Sequence, residues 1–138
     1  MCRIAGIINP YIAAEEIAAL VKGMCSSLQH GGPDDGGVYQ NTNSSLVLGH
    51  RRLSIIDTTA GGHQPMIYEQ GRYVISYNGE LYNYRELKSV LAAAGVSFKT
   101  QSDTEVVLAA YATWGIACLE RFSRKSICTP DGWSAQKR

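Results

Sequence analysis

A chain of 138 residues that is 45% apolar and 18% charged can build one domain with a real core, and a formal net charge of +1 offers nothing to nucleic acid or an anionic membrane. Its four cysteines, Cys2, Cys25, Cys118 and Cys128, form no Cys-x-x-Cys pair, and none of the three histidines has ligand spacing to them, which argues against a disulfide framework and a metal centre. No basic-then-apolar leader and no apolar run of about 18 residues is visible, so the expected compartment is the cytoplasm.

The first element is a short β-prone run at residues 4–8, stopped by Asn9-Pro10. Residues 12–29 read as a helix, with Ile17, Leu20, Val21, Met24 and Leu28 as its apolar stripe and Met24 and Cys25 in or near the core. Residues 30–37, His-Gly-Gly-Pro-Asp-Asp-Gly-Gly, are dense in breakers and predict a loop. Strands are expected at 38–40, 46–48 and 53–56, with a hairpin connection at Asn41-Thr42-Asn43 and a second loop over 57–65. Arg72 to Tyr77 reads as a strand with Tyr73, Ile75 and Tyr77 on one face. Tyr84 to Ala94 reads as a helix that Gly95 stops. Ser102-x-x-Glu105 is a capping box ahead of a helix running to Trp114, with Gly115 as its stop. A short helical segment follows at 116–122, and residues 123–138 are polar without a period. This order suits an α+β fold rather than strict βαβ units.

Cys2 follows the initiator methionine. Removal of Met1 would give one residue both a thiol and a free α-amine, whose ordinary pKa values lie near ~8.5 and ~7.8. The amine can then serve as base for the thiol. By position alone Cys2 reads equally well as an inert buried thiol. Asn78-Gly79 after a strand is by itself a hairpin-turn signal, Asp103 a first-turn helix charge and Arg52 a solvated strand residue.

The motifs taken together are more specific. They run Cys2-x-Ile4-x-Gly6, His30-x-Gly32-Pro33-Asp34-Asp35, Gly49-His50-Arg51-Arg52-Leu53-Ser54-Ile55-Ile56-Asp57, Gln64-Pro65-Met66, Tyr77-Asn78-Gly79-Glu80-Leu81-Tyr82-Asn83 and Ser102-Asp103-x-Glu105. In this order, over residues 1–122, the chain resembles the class II glutamine amidotransferases, most closely the glutaminase domain of glutamine-hydrolysing asparagine synthetases. The resemblance implies an N-terminal-nucleophile fold, a four-layer αββα sandwich. It implies hydrolysis of the glutamine side-chain amide through a thioester on Cys2, with Asn78 and Gly79 as the oxyanion hole. Arg52 is then expected to take the glutamine α-carboxylate and Asp103 the α-ammonium, with Leu53, Ser54, Ile55, Ile56 and Glu80 completing the pocket. A fixed cation and a fixed anion are what a pocket selective for a free amino acid requires, and arginine's planar fork suits a carboxylate.

Two positions near the expected site depart from the family pattern. Arg3 stands where a small residue is usual, and Gly31 stands where the His-Arg-Gly-Pro-Asp motif has arginine. Both bear on activity, and they favour a second reading, a non-catalytic relic that keeps the pocket. A third reading, an N-terminal-nucleophile hydrolase of another amide, fits the Arg52 and Asp103 pair less well. After Phe122 the apolar strand of the family gives way to Ser123-Arg124-Lys125-Ser126, so residues 123–138 are expected to be a divergent tail, the domain to be incomplete and the chain to be poorly stable alone. No Ser-Gly-Gly-x-Asp-Ser loop occurs. ATP and magnesium would thus belong to a synthetase domain found in cis in longer relatives, and no cofactor is expected here.

Overall fold

The computed structural model describes residues 2–41, 45–55, 57 and 59–123. Its strands are β1 (Arg3–Ile8), β2 (Asp35–Asn41), β3 (Leu46–Arg52), β4 (Met66–Tyr68) and β5 (Tyr73–Ile75). Its helices are α1 (Ala14–Ser27), α2 (Tyr84–Ala93), α3 (Asp103–Trp114) and the short α4 (Cys118–Arg121). The mixture is α+β, with an antiparallel three-stranded sheet in the order β1-β3-β2 and an antiparallel β4-β5 pair. No helix among the described residues is long and apolar enough to cross a membrane.

Two apolar cores result. In the first, α1 lies on the three-stranded sheet and buries Ile17, Ala18, Val21 and Cys25 against Ala5 and Val47. The helix approaches so closely at Gly49 that a methyl there would overlap Cys25 Sγ and lie 2.8 Å from Val21 Cγ1. The buried stripe is therefore Ile17, Val21 and Cys25, one residue per turn, and Leu20 and Met24 are exposed. This corrects the expected stripe and the placing of Met24. A +3,+4 pattern describes a broad face, and the glycine at 49 selects its narrow centre.

In the second core α2 packs on α3, burying Leu81, Leu87, Leu91, Val106, Ala109, Ala110 and Cys118. The α2 helix ends with Gly95 at φ +94°, where Val96 N–H bonds to Leu91 O and Gly95 N–H to Ala92 O, the double closure that a left-handed glycine permits. The α3 helix also packs on β4 and β5. A hydrogen bond from His50 Nδ1 to Ser76 Oγ, 3.0 Å long, joins β3 to the residue just past β5.

The expected loop over 30–37 is partly strand. Asp35, Gly36 and Gly37 pair with Arg52, Arg51 and His50, because glycine does not prevent a ladder when a neighbouring strand supplies the partners. The expected strand over 53–56 is absent at its described residues. The chain leaves the sheet after Arg52, and Ile55 is 74% exposed. The strand expected over 72–77 covers only Tyr73–Ile75, and its partner Met66–Tyr68 falls in a stretch assigned no strand from the sequence. Thr42 and Asn43 of the expected hairpin connection, Ile56 and most of the expected tail lie outside the described residues. Ser123 is tied back: Tyr82 N–H donates to Ser123 O, and Ser123 N–H donates to Asn83 Oδ1.

Candidate active site

Cys2 stands one residue before β1, whose register sets Arg3 opposite Arg51. Carried one step outward, that pairing brings Cys2 to the end of β3. The half-buried thiol lies against the Leu53 peptide: Leu53 N–H donates to Sγ at 3.4 Å, and Sγ–H donates to Leu53 O at 3.6 Å. The neighbouring turn is laced to the same segment, for Asp34 N–H donates to Arg52 O and Ser54 N–H donates to Asp34 Oδ2 at 2.8 Å.

Arg52 closes β3 and is only 6% exposed. Its guanidinium donates to Thr59 O at 3.3 Å and to Asp57 O, and lies flat on Gly62, where any side chain would collide with it. The solvated-residue reading is thereby excluded. A cavity of about 540 Å³ opens beside it, lined by Arg52, Ser54, Asp34, Asp35, Thr59 and His63 among others. Asp35 Oδ2 meets His63 Nδ1 at 2.8 Å across this cavity. Burial works against ionisation of Asp35, but the His63 and Gly36 hydrogen bonds and the His63 and Arg52 charges outweigh it and hold the carboxyl below its usual range. Neither Cys2 nor Asp103 lines the cavity.

Asp103 opens α3 and is 6% exposed. Its Oδ2 accepts the Leu81 N–H at 3.0 Å, so the carboxylate holds the chain just past Asn78-Gly79-Glu80. Burial pushes this carboxyl up, the Leu81, Thr104 and Asp103 N–H groups pull it down, and the Glu80 charge adds to the rise; the net direction is upward. Asn78, Gly79 and Glu80 are exposed, and they lead into α2 and not into a second strand of a hairpin. Gly79 lies against the Tyr77 ring.

The sequence-predicted residues thus fall into two groups. Cys2, Arg52, Leu53 and Ser54 are gathered at the end of the three-stranded sheet. Asp103 is gathered with the 78–81 loop at the start of α3. No hydrogen bond among the described residues joins Asn78 or Gly79 to Cys2. Ile55 is exposed, and Ile56 lies outside the described residues.

Asp57, with no role assigned from sequence, joins the two groups, and Gln64 and Glu105 brace the second. Buried Gln64 accepts the Tyr77 N–H through Oε1 at 2.6 Å and donates from Nε2 to Thr104 Oγ1 at 3.3 Å, so it spans from the residue before Asn78 to the residue after Asp103. Asp57 receives Arg52 on its carbonyl and Gln101 N–H on Oδ2 at 3.0 Å. Glu105 was expected to close a capping box on Ser102. Ser102 Oγ does accept from Thr104 N–H, but Glu105 reaches further back, to Lys99 N–H, Thr100 N–H and the Thr100 hydroxyl at 2.7–2.8 Å. The usable sequence signal at Gln64 was a polar residue between a glycine-rich loop and a proline. Nothing local showed which backbone groups it would serve.

Residues 1–124 match the family model of the glutamine amidotransferase domain. The chain is 44% identical to asparagine synthetase [glutamine-hydrolyzing] 1 of Bacillus subtilis, over 80% of this chain and 17% of that protein. It is 37% identical to a putative asparagine synthetase [glutamine-hydrolyzing] 2 of Methanocaldococcus jannaschii, over 89% of this chain and 26% of that protein. To asparagine synthetase B of Escherichia coli it is 37% identical, over 80% of this chain and 19% of that protein. The chain therefore spans about a sixth to a quarter of the length of these relatives. With a family model matched over nearly its whole length, this chain belongs to the glutamine amidotransferase domain family.

Proposed function

We propose that this chain hydrolyses the side-chain amide of glutamine, with Cys2 as nucleophile, as the glutaminase part of an asparagine-synthetase-like amidotransferase. The observation that carries the reading is the seat of Cys2, its thiol held on the Leu53 peptide one residue past a buried arginine. Once Met1 is removed, the Cys2 amine takes the thiol proton and the sulfur attacks the amide carbon. Ammonia leaves with that proton, and water then cleaves the thioester to glutamate. Asn78 Nδ2 and Gly79 N–H donate to the developing oxyanion, a kind of donor whose loss lowers rates by roughly 10²–10³. Arg52 takes the α-carboxylate and Asp103 the α-ammonium. The 53–56 segment and Glu80 wall the pocket. These two charged anchors sit at the ends of β3 and α3, which suits them to fix a small zwitterion.

The same reading treats the fold as an αββα sandwich of the N-terminal-nucleophile type. Its support is that α1 covers one sheet, α3 covers the other, and His50 meets Ser76 between them. The domain is taken to run to Phe122, with a divergent tail after it. A thiol nucleophile of this kind suits the reducing cytoplasm. The ammonia would pass to a synthetase domain in cis, which would bind ATP and magnesium, and asparagine is the product that the relatives' names suggest.

A glutamine-like diazo-ketone tests the reading. It should label Cys2 once per chain, with Met1 absent from protein made in cells, and Cys2→Ala should abolish both labelling and ammonia release. Labelling at Cys25, or ammonia release that survives Cys2→Ala, would sink it.

A further inference from the structure

The two positions that depart from the family pattern, residues 3 and 31, are in contact. A methyl placed on Gly31 would lie 2.6 Å from Arg3 Nε and 2.8 Å from Arg3 Cγ and Cζ, so the Arg3 side chain crosses the bare face of this glycine. The fold makes them neighbours. The register pairs Arg3 with Arg51, and Arg51 Nε donates to Gly32 O at 3.1 Å, which holds the turn containing Gly31 against the end of the sheet. From its place over Gly31 the guanidinium donates through Nη1 to the Cys2 carbonyl at 3.2 Å. That carbonyl belongs to the residue whose thiol rests on Leu53.

We propose that Arg3 is a positioning residue for Cys2 and that Gly31 is its seat, so that any side chain at 31 competes with Arg3 for one space. The proposal rests on the reading of Cys2 as nucleophile. An arginine has a long flexible stem, and it holds a fixed geometry only where a surface confines it. The flat face of Gly31 supplies that surface, and a charge-assisted bond to the Cys2 carbonyl uses it. The two departures then form one arrangement, in which the cation absent from position 31 comes from position 3. Glycine at 31 is required because arginine stands at 3.

The pair can be probed without attacking the fold. The atoms that a new Cβ at 31 would meet belong to a flexible side chain and not to backbone, so Gly31→Ala should displace Arg3 and leave the turn intact. The readout is the rate at which the diazo-ketone labels Cys2 across pH. Arg3→Gly and Gly31→Ala should each slow it roughly tenfold, the worth of one such bond, while melting temperatures stay within about 2 °C of the parent. Gly31→Ala introduced into the Arg3→Gly chain should add nothing further, and Arg3→Lys should recover part of the rate. Labelling of Arg3→Gly at the parental rate, or an equal loss from Gly31→Ala in both backgrounds, overturns the proposal. Alkylation of Cys2 by iodoacetamide, with buried Cys25 and Cys118 as references, separates this from the nucleophile reading. If the diazo-ketone ignores Cys2 in the parent, the proposed function fails. An iodoacetamide rate that Gly31→Ala changes threefold or more only when Arg3 is present still supports the pairing, and a rate unchanged in both backgrounds overturns it.

Discussion

Around Cys2 and Arg52 the chain is held by backbone pairing and by a helix packed on a sheet; around Asp103 it is held by buried polar side chains. In the first region the ladder sets Arg52 against Asp35, and a core of isoleucine, valine and alanine backs it. In the second, Ser102, Asp103, Thr104 and Glu105 are all buried at the start of α3; the oxygens of Ser102, Asp103 and Glu105 serve backbone N–H groups, and Thr104 Oγ1 accepts from Gln64 Nε2. The contrast follows from the elements. A strand end is positioned by its neighbours, whatever its side chains. A helix N-terminus brings unpaired N–H groups and needs side-chain oxygens to approach other chain segments at all. The two regions should therefore fail differently.

The largest effect is expected at Glu105. The carboxylate of buried Glu105 accepts three hydrogen bonds from residues 99 and 100, and Glu105→Ala takes the acceptor from two backbone N–H groups, on exposed Lys99 and half-buried Thr100. Bonds to a charged acceptor contribute roughly 1.5–3 kcal/mol each and are not additive, so a loss of about 3–5 kcal/mol is expected. That is a large share of a typical ~5–15 kcal/mol. Glu105→Gln, which keeps one acceptor, should lose less than half as much by urea denaturation. A Glu105→Ala chain within about 1 kcal/mol of the parent would show that the loop at 99–101 does not depend on this carboxylate.

The first region has a different weakness, at His50 in the middle of β3. The Ser76 hydroxyl donates to Gly49 O and so accepts from His50 Nδ1, which leaves Nε2 unprotonated; it is buried with no partner among the described residues. Burial, and then the Arg52 charge, depress this imidazole to about 4. The unfolded chain protonates it near ~6.5, so its contribution is complete above that pH and is lost as pH falls toward 4. The loss should reach about 3 kcal/mol at pH 4. Asp35, whose carboxyl is held below its usual range, loses its contribution as pH falls from the unfolded value near ~3.9 through that lower folded value. Asp103 acts in the opposite sense and offsets part of the fall. Urea midpoints between pH 7 and 4.5 should drop steeply in the parent and much less in His50→Asn. Parallel slopes in the two chains would remove His50 from the account.

Legibility in the sequence divided along the same line. Helices, and strands with apolar periodicity, were readable: α2 and α3 begin and end within a residue of expectation, and Gly95 and Gly115 both take positive φ at the stops. The glycine-rich 35–37 segment was misread because its strand character comes from β3, a partner that local composition does not contain. The chain past Arg52 was misread the other way, since an apolar run looked like a strand although its described part leaves the sheet. At the candidate site, Cys2, Arg52 and Asp103 were named through the family resemblance that the ordered motifs carry, since by type and position alone each had a plain structural reading. The bracing around them did not show, because Gln64 and Asp57 act on groups up to 44 residues away and carry no periodic mark, and Glu105 reaches past the cap that its spacing predicts.

Asp103 itself gives the smallest expected change in stability and the most discriminating one. Its carboxyl is raised by burial, so its contribution is fully present below the unfolded value near ~3.9 and is lost as pH rises through the folded value. At neutral pH the charge thus works against the fold. Asp103→Asn removes that charge, keeps an oxygen to accept the Leu81 N–H, and leaves a residue that helix starts tolerate. The melting temperature at pH 7 should rise slightly, and the gain should shrink as pH falls and the raised carboxyl takes up its proton. If the carboxylate faces a glutamine ammonium, the same substitution should weaken glutamine binding by about 10–100-fold, the worth of a charge-assisted hydrogen bond. A residue kept for structure alone would not combine a stability gain with a binding loss. A chain that melts higher and binds glutamine as tightly as the parent would make Asp103 a helix-end charge. A chain that melts lower would show that the bond to Leu81 needs the full carboxylate.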